Sequence, residues 1–324
     1  MGDETFFLVA ACLAEGNGLR GTARILKAKG LNLKPDTVQR VAARLGKHAQ
    51  EVVGHYLADL HPGKIQLDEL WSFLKKKEKN LLELEALQGE LGDCWIWVAY
   101  DPETKLILGL VLGQRTKGNA VKLLRRVKQV VGEDCFPMFT SDELACYEDA
   151  IVEVFGVTVQ PERQGGVGRL PKPRRVPHPQ VKYGVVHKER EKNRVVRVRQ
   201  RVVHGSPEDV QTVLDQSEFS NRINTSGVER QNGKFRAGSG RLRRKTLGFS
   251  KKKGMLGHGV EWWRAYDHFC FPNKGLRQAS GELGRKWTQR TPMMAAGKTD
   301  HVWAVKELVL CWVPLRASSD GEQR

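Results

Sequence analysis

The run of patterns between residues 64 and 143 leaves few folds open to this chain. Residues 64–74, KIQLDELWSFL, place Ile65 and Leu67 on one side of an extended strand and Lys64, Gln66 and Asp68 on the other. Residues 94–100, CWIWVAY, predict a second strand, Asp101-Pro102-Glu103-Thr104 a turn, and residues 105–112 a third strand. From 118 to 131 the period changes. Ala120, Leu123, Leu124 and Val127 share one side, with Lys122, Arg125, Arg126 and Lys128 opposite, which predicts an amphipathic crossover helix. A short apolar run, 135–140, ends in Ser141-Asp142-Glu143, and helical spacing resumes through Tyr147, Ile151, Val154 and Phe155. Three antiparallel strands, a crossover helix and a further strand predict an α/β fold, a mixed sheet flanked by helices.

Two acids stand where this pattern makes them expensive. Asp68 projects from a strand otherwise rich in core residues, which is costly unless the carboxylate is paired, hydrogen-bonded or bound to a metal. Glu69, the next residue, should face away from it. The plainer alternative is a salt bridge from either acid to the lysines of residues 75–79. Asp142 falls where a strand meets a helix, the place where open α/β sheets bind ligands. Capping that helix is its competing role, which Ser141 can take instead. Asp101 reads as a turn residue, and Glu143 has no assigned role.

Residues 224–253 read NTSGVERQNGKFRAGSGRLRRKTLGFSKKK, with Glu229 followed by nine Lys or Arg between 234 and 253 and no acid among them. Asn224, Thr225 and Ser226 are N-cap types, and Glu229 lies three residues past Ser226, so a capping box is the plain reading. Arg236, two turns on, shares a helix face with Glu229. The basic run is too long to be only a solvated helix face. A carboxylate at its head suits an enzyme that holds a metal ion against a nucleic-acid phosphate. The formal net charge of +17 over 324 residues also points to a polyanion. No apolar run approaches a spanning helix, which favours nucleic acid over a membrane surface. Six cysteines are scattered without a CxxC pair, which argues against a zinc ribbon or disulfide framework and for a reducing cytoplasm.

Two further regions extend the nucleic-acid reading. Residues 160–204 are rich in Gly, Pro and basic side chains, with twelve Lys or Arg against two Glu from 169 to 201. The Pro-rich part predicts an extended loop and the part around Val195, Val196 and Val198 a strand or hairpin. Together they read as a basic insert that clamps a DNA backbone, or as a solvated loop. Near the start, residues 6–14 read as helical. Ala23, Ile25 and Leu26 form a short apolar face closed by Gly30. Pro35-Asp36-Thr37 opens a second helix with Val38, Val41 and Leu45 inward and Arg40, Arg44 and Lys47 outward. Such a pair reads as a helix-turn-helix, with a simple helical hairpin as the alternative. Trp262, Trp263, Tyr266 and Phe269 predict a late core helix ending at Pro272, residues 302–310 a small helix or strand, and the last residues disorder.

VERQNGKFR and RRKTLGFSK, with Asp-Glu-Leu-Trp at 68–71 and Ser-Asp at 141–142 followed by Tyr147, resemble the catalytic domain of transposases of the insertion-sequence-one family. The resemblance runs from about residue 20 to 312. It implies an RNase H-like mixed sheet and an Asp-Asp-Glu triad of Asp68, Asp142 and Glu229 holding two Mg²⁺ ions, with Mn²⁺ as a substitute. It implies cutting of an insertion element's ends by water, then attack of the freed 3′-hydroxyl on target DNA, with Arg236 near the scissile phosphate. The partners are then double-stranded DNA and further copies of the chain assembled on it, with no membrane, in a nucleoid-associated cytoplasmic setting. The domains read as 1–58, a helix-turn-helix unit; 59–271, the catalytic domain with its insert; and 272–324, a tail. DNA contacts fall to Arg40 and Arg44 in the first and to Arg236, Arg241, Arg243, Arg244 and Lys245 in the second. The zinc finger that often precedes the helical unit in this family is missing. The rival readings are a non-catalytic DNA-binding derivative, whose mark is a lost acid, and an RNase H-fold nuclease without strand transfer, which has no need of the N-terminal unit.

Overall fold

A computed structural model describes residues 1–314 except 88, 90, 162–170, 193, 282, 283 and 285. The start of the basic stretch and the terminal residues expected to be disordered lie outside the described residues. Three helices lead, α1 (Asp3–Ala14), α2 (Leu19–Ala28) and α3 (Pro35–Tyr56). Next come β1 (Lys64–Leu74), the short α4 (Glu83–Leu87), β2 (Gly92–Tyr100), β3 (Ile107–Gly113), α5 (Lys117–Val130), β4 (Met138–Asp142) and α6 (Cys146–Phe155). A small hairpin of β5 (Gly156–Val159) and β6 (Arg174–Pro177) leads to the long strands β7 (Lys182–Glu191) and β8 (Arg194–His204). Helices α7 (Pro207–Gln216), α8 (Ser226–Gly238) and α9 (Lys253–Phe269) follow, then the short α10 (Pro292–Ala295) and α11 (Val305–Leu310).

The main sheet has six strands in the order β3-β2-β1-β4-β7-β8. β3 and β2, and β2 and β1, pair antiparallel; β1, β4 and β7 are mutually parallel, and β8 returns antiparallel at the edge. The expected α/β mixed sheet is thus present. The stretch read as a basic insert is corrected in part, because residues 182–204 supply two strands of the sheet itself. The alternation around Val195 was a true strand signal.

Strand alternation sorts the apolar side chains to two faces. Ile65, Leu67, Trp97 and Phe139 face α5 and α6, whose Leu123, Leu124, Val127, Tyr147 and Ile151 close that core. Leu70, Leu74, Ile96 and Val98 face the other way, against Val228 and Phe235 of α8 and Leu256, Val260 and Trp263 of α9. α9 serves both cores, because its Trp262 joins the first and Trp263 the second. It also covers the outer edge of the sheet at Ile107, whose N–H donates to His268 Nε2 at 3.0 Å and whose carbonyl accepts from Arg264 at 3.0 and 2.6 Å. These bonds satisfy edge groups that would otherwise invite pairing with another chain.

The N-terminal helices share the first core. Val9, Ala10, Leu26, Val38 and Leu45 belong to the same buried cluster as Trp97 and Phe139. α3 lies against α9 so closely that a Cβ at Gly46 would sit 2.4 Å from His258 Cα. His258 therefore packs against α3. The end of the chain returns to the same body, with Trp303 between Tyr56 and Phe269 and His48 Nε2 bonded to Leu308 O at 2.9 Å. Val9, Trp97 and Leu308, from the three parts drawn in the sequence, thus share one buried cluster.

Candidate active site

The polar side of β1 is what fastens α8 to the sheet. Lys64 Nζ donates to Ser217 Oγ and to Ser220 O, both at 3.0 Å. Gln66 Nε2 donates to Asn224 O at 2.9 Å and its Oε1 accepts from Val228 N at 2.8 Å. Asp68 Oδ2 accepts from Asn232 Nδ2 at 2.8 Å. Successive outward residues of one strand thus hold successive points of the loop and helix that carry Glu229. Gly227 permits the approach, because a Cβ there would lie 2.6 Å from Gln66 Oε1.

The other two acids come to the same face. Asp142 closes β4, where Ser141 pairs with Leu67 of β1. On the far side, Asp142 pairs with Val186 of β7, so Lys188, two residues on, shares the face of Val186. Lys188 Nζ donates to Asp142 Oδ1 at 3.3 Å, to Thr225 Oγ1 at 3.2 Å and to Glu229 Oε1. Thr225 Oγ1 lies 3.1 Å from Asp142 Oδ1 and 2.8 Å from Glu229 Oε1. Asp142 and Glu229 therefore share one ammonium and one hydroxyl. Asp68 stands deeper, and Asp142 acts on it through charge.

The electrostatics follow from that depth. Burial pushes the Asp68 carboxyl up to about 7, and the charges of Glu69 and Asp142 act in the same direction. Hydrogen bonds from Glu69 N–H and Asn232 oppose the shift without cancelling it. Burial works against the charge of Lys188, but its bond to Glu229 and the charges of Asp142 and Glu229 prevail and hold the ammonium above its ordinary value. Glu69 takes the opposite face, as the alternation predicts, and pairs with Arg115 at 2.9 Å. Among the described residues neither Asp68 nor Glu69 forms an ion pair with the lysines of 75–79; Lys76 pairs with Glu85 at 2.8 Å instead.

Several sequence expectations need correction. Thr225 is the N-cap residue of α8 and no side chain caps it, so the capping box at Ser226 and Glu229 does not form. The reason is competition, because both Thr225 Oγ1 and Glu229 Oε1 are engaged with Lys188. Asp142 does not cap α6, which starts at Cys146 after Ala145. Arg236 donates to Trp71 O at 3.2 Å and to Leu242 O at 3.1 Å, which makes it a staple between β1 and the basic loop. Arg241 is half-buried and donates to Ser250 Oγ at 3.2 Å, whereas Arg243, Arg244 and Lys245 are exposed. Arg40 and Arg44 are exposed on α3, Arg44 over the ring of Phe6. Lys188, Thr225 and Asn232 were not singled out as site residues. The strand expected around Val195 did not extend to Lys188, whose only signal was its even spacing from Val186.

A divalent metal ion finds suitable chemistry here but no finished centre. The donors are hard oxygens, and Asn232 Oδ1 is buried beside Asp68 with no hydrogen-bond partner. The Lys188 ammonium already bridges Asp142 and Glu229, so these two carboxylates do accept a cation between them. Yet among the described residues no group of three or more His, Cys, Asp or Glu stands together as a metal site. No protein-family model matches the chain, and no curated protein matches it. No helix among the described residues is long and apolar enough to cross a membrane.

Proposed function

We propose that the chain is a DNA transposase that cuts and joins DNA strands by metal-assisted phosphoryl transfer at Asp68, Asp142 and Glu229. The observation that carries the reading is the gathering of three acids, far apart in sequence, on one face of the sheet, with Asp142 and Glu229 sharing a cation. The strand order and the placement of an acid in β1, at the end of β4 and on α8 support an RNase H-like fold. Asp68, Asp142 and Glu229 would hold Mg²⁺ or Mn²⁺, with Asn232 Oδ1 beside them. Bound metal supplies an activated oxygen nucleophile and stabilises the leaving oxygen. Exposed Arg243, Arg244 and Lys245 supply phosphate contacts beyond Arg236, and the exposed arginines of β8 extend them along the sheet edge. α2 and α3 support a helix-turn-helix reading in which Arg40 and Arg44 face DNA. Double-stranded DNA and assembly of copies on it are the partners of this reading, in a nucleoid setting.

The test is cleavage of duplexes carrying the element's own ends, with Mg²⁺ and with EDTA. Metal-dependent nicking at the ends, lost in Asp68→Asn, Asp142→Asn and Glu229→Gln with DNA binding retained, is the expected result. Near-normal turnover in any of the three removes that residue from the site. A second reading, a non-catalytic DNA-binding derivative, is favoured by one observation, the Lys188 ammonium seated on two of the acids. It predicts DNA binding without cleavage under any metal.

A further inference from the structure

We infer that Lys188 is a tethered cation that competes with a divalent metal ion for Asp142 and Glu229, so that these carboxylates hold one or the other. The inference rests on the reading of the three acids as a metal-holding set. Its basis is geometric. Lys188 Nζ engages Asp142 Oδ1, Glu229 Oε1 and Thr225 Oγ1 together, from a side chain only 18% exposed. Attraction between an ammonium and carboxylates strengthens as water is excluded, so a side chain this covered is a strong local competitor. A metal ion held by Asp142 and Glu229 would compete with Lys188 for the same two carboxylates.

Lysine suits an exchange better than a fixed bridge. Its charge is a compact point on a flexible four-carbon stem, free of the planar two-point fit that locks arginine to a carboxylate. The backbone beneath it is fixed, because β7 is paired on one side to β4 and on the other to β8, where Lys188 faces Val198. Movement is therefore confined to the side chain. Without metal, Lys188 relieves the repulsion between Asp142 and Glu229 and keeps α8 seated on the sheet. With metal, the ion takes over that role and the ammonium leaves. A cation is thereby always present between the two carboxylates, but metal loading is opposed by the protein's own charge.

The experiment is Mn²⁺ titration of the full chain without DNA, with free Mn²⁺ followed by electron paramagnetic resonance. Lys188→Met and Lys188→Gln should bind Mn²⁺ about tenfold more tightly than the unaltered protein, because the competing charge is gone. Adding Asp142→Asn should abolish the gain. Equal or weaker Mn²⁺ binding in the folded Lys188 variants overturns the inference while leaving the metal reading intact. Absence of Mn²⁺ binding in all of them at millimolar ion overturns the metal reading and the inference with it. A measurement on the unaltered protein guards against misfolding of the variants. Reductive methylation read by mass spectrometry should show Lys188 protected in EDTA and labelled on adding Mg²⁺, with exposed lysines unchanged. Constant labelling of Lys188 counts against exchange.

Discussion

A carboxylate in the middle of a buried strand divides its time between a proton and a counter-charge, and Asp68, pushed up to about 7, does so at neutral pH. Its folded-state value lies above the unfolded 3.8, so the native state binds the proton more tightly. Stability is therefore highest below about pH 4 as far as this group is concerned, falls as pH rises toward 7, and carries the full penalty above that, on the order of a few kcal/mol. Asp68→Asn should consequently raise the urea midpoint more at pH 8 than at pH 5, in EDTA. The substitution is tolerable because Asn232 can turn its amide, presenting its unpartnered Oδ1 to the new amide hydrogen. Equal effects at both pH values would remove the assigned titration. On the proposed metal reading protons compete with the ion at Asp68, so cleavage should rise through pH 7 and level off. Asn232→Ala deletes a bond that favours the ionised form, and its pH–rate profile should move to higher pH. Asp68 was legible in the sequence because an acid on a core strand is a costly anomaly. Lys188 was not, because it was one of twelve similar charges, and only the parallel register of β4 and β7, which pairs Asp142 with Val186, brings it two residues on to the same face.

At the scale of elements, the attachment of α8 depends on Gln66. Its side chain satisfies Val228 N–H and the carbonyl of Asn224, groups with no water to turn to once buried. Gln66→Leu should destabilise the protein by about 2–4 kcal/mol, read from urea unfolding, and should impair cleavage by loosening Glu229. A loss within error of zero would show that the helix is seated by its apolar contacts alone. The basic loop after α8 divides into two kinds of residue. Neutralising Arg243, Arg244 and Lys245 together should weaken binding to all duplexes about equally and flatten the salt dependence, since exposed cations release counterions on contact. Arg241→Ala should instead lower stability, because that guanidinium is spent on Ser250 inside the loop. Binding curves at several salt concentrations separate the two, and loss of end preference alone in the triple variant would refute the assignment. The periodicity of β1, β2, β3 and α5 announced those elements from local sequence. The place of β7 and β8 was harder to read, because their side of the sheet is built by long-range pairing and their outer face is basic.

Across the whole molecule, residues 1–58 complete a core that the sheet also uses, with Leu26 and Leu45 buried in one cluster with Trp97. Removing them should therefore leave residues 59–324 without a cooperative thermal transition, whereas separate domains would leave a folded, melting remainder. Arg40→Ala with Arg44→Ala should reduce preference for element ends over scrambled duplexes without changing the salt slope. The helices themselves were legible from spacing and from Pro35 at the start of α3, although no side chain caps them, but their docking was not. Gly46 reads in sequence as a weak point in a helix, and only the contact with His258 explains it. The seam is drawn by α9, which sends adjacent indoles into opposite cores. Those two neighbours are a built-in pair of optical probes: the emission lost on Trp262→Phe or on Trp263→Phe isolates one indole from the six other tryptophans, and the two differences report which half of the molecule loosens first, at a separation of a single peptide bond.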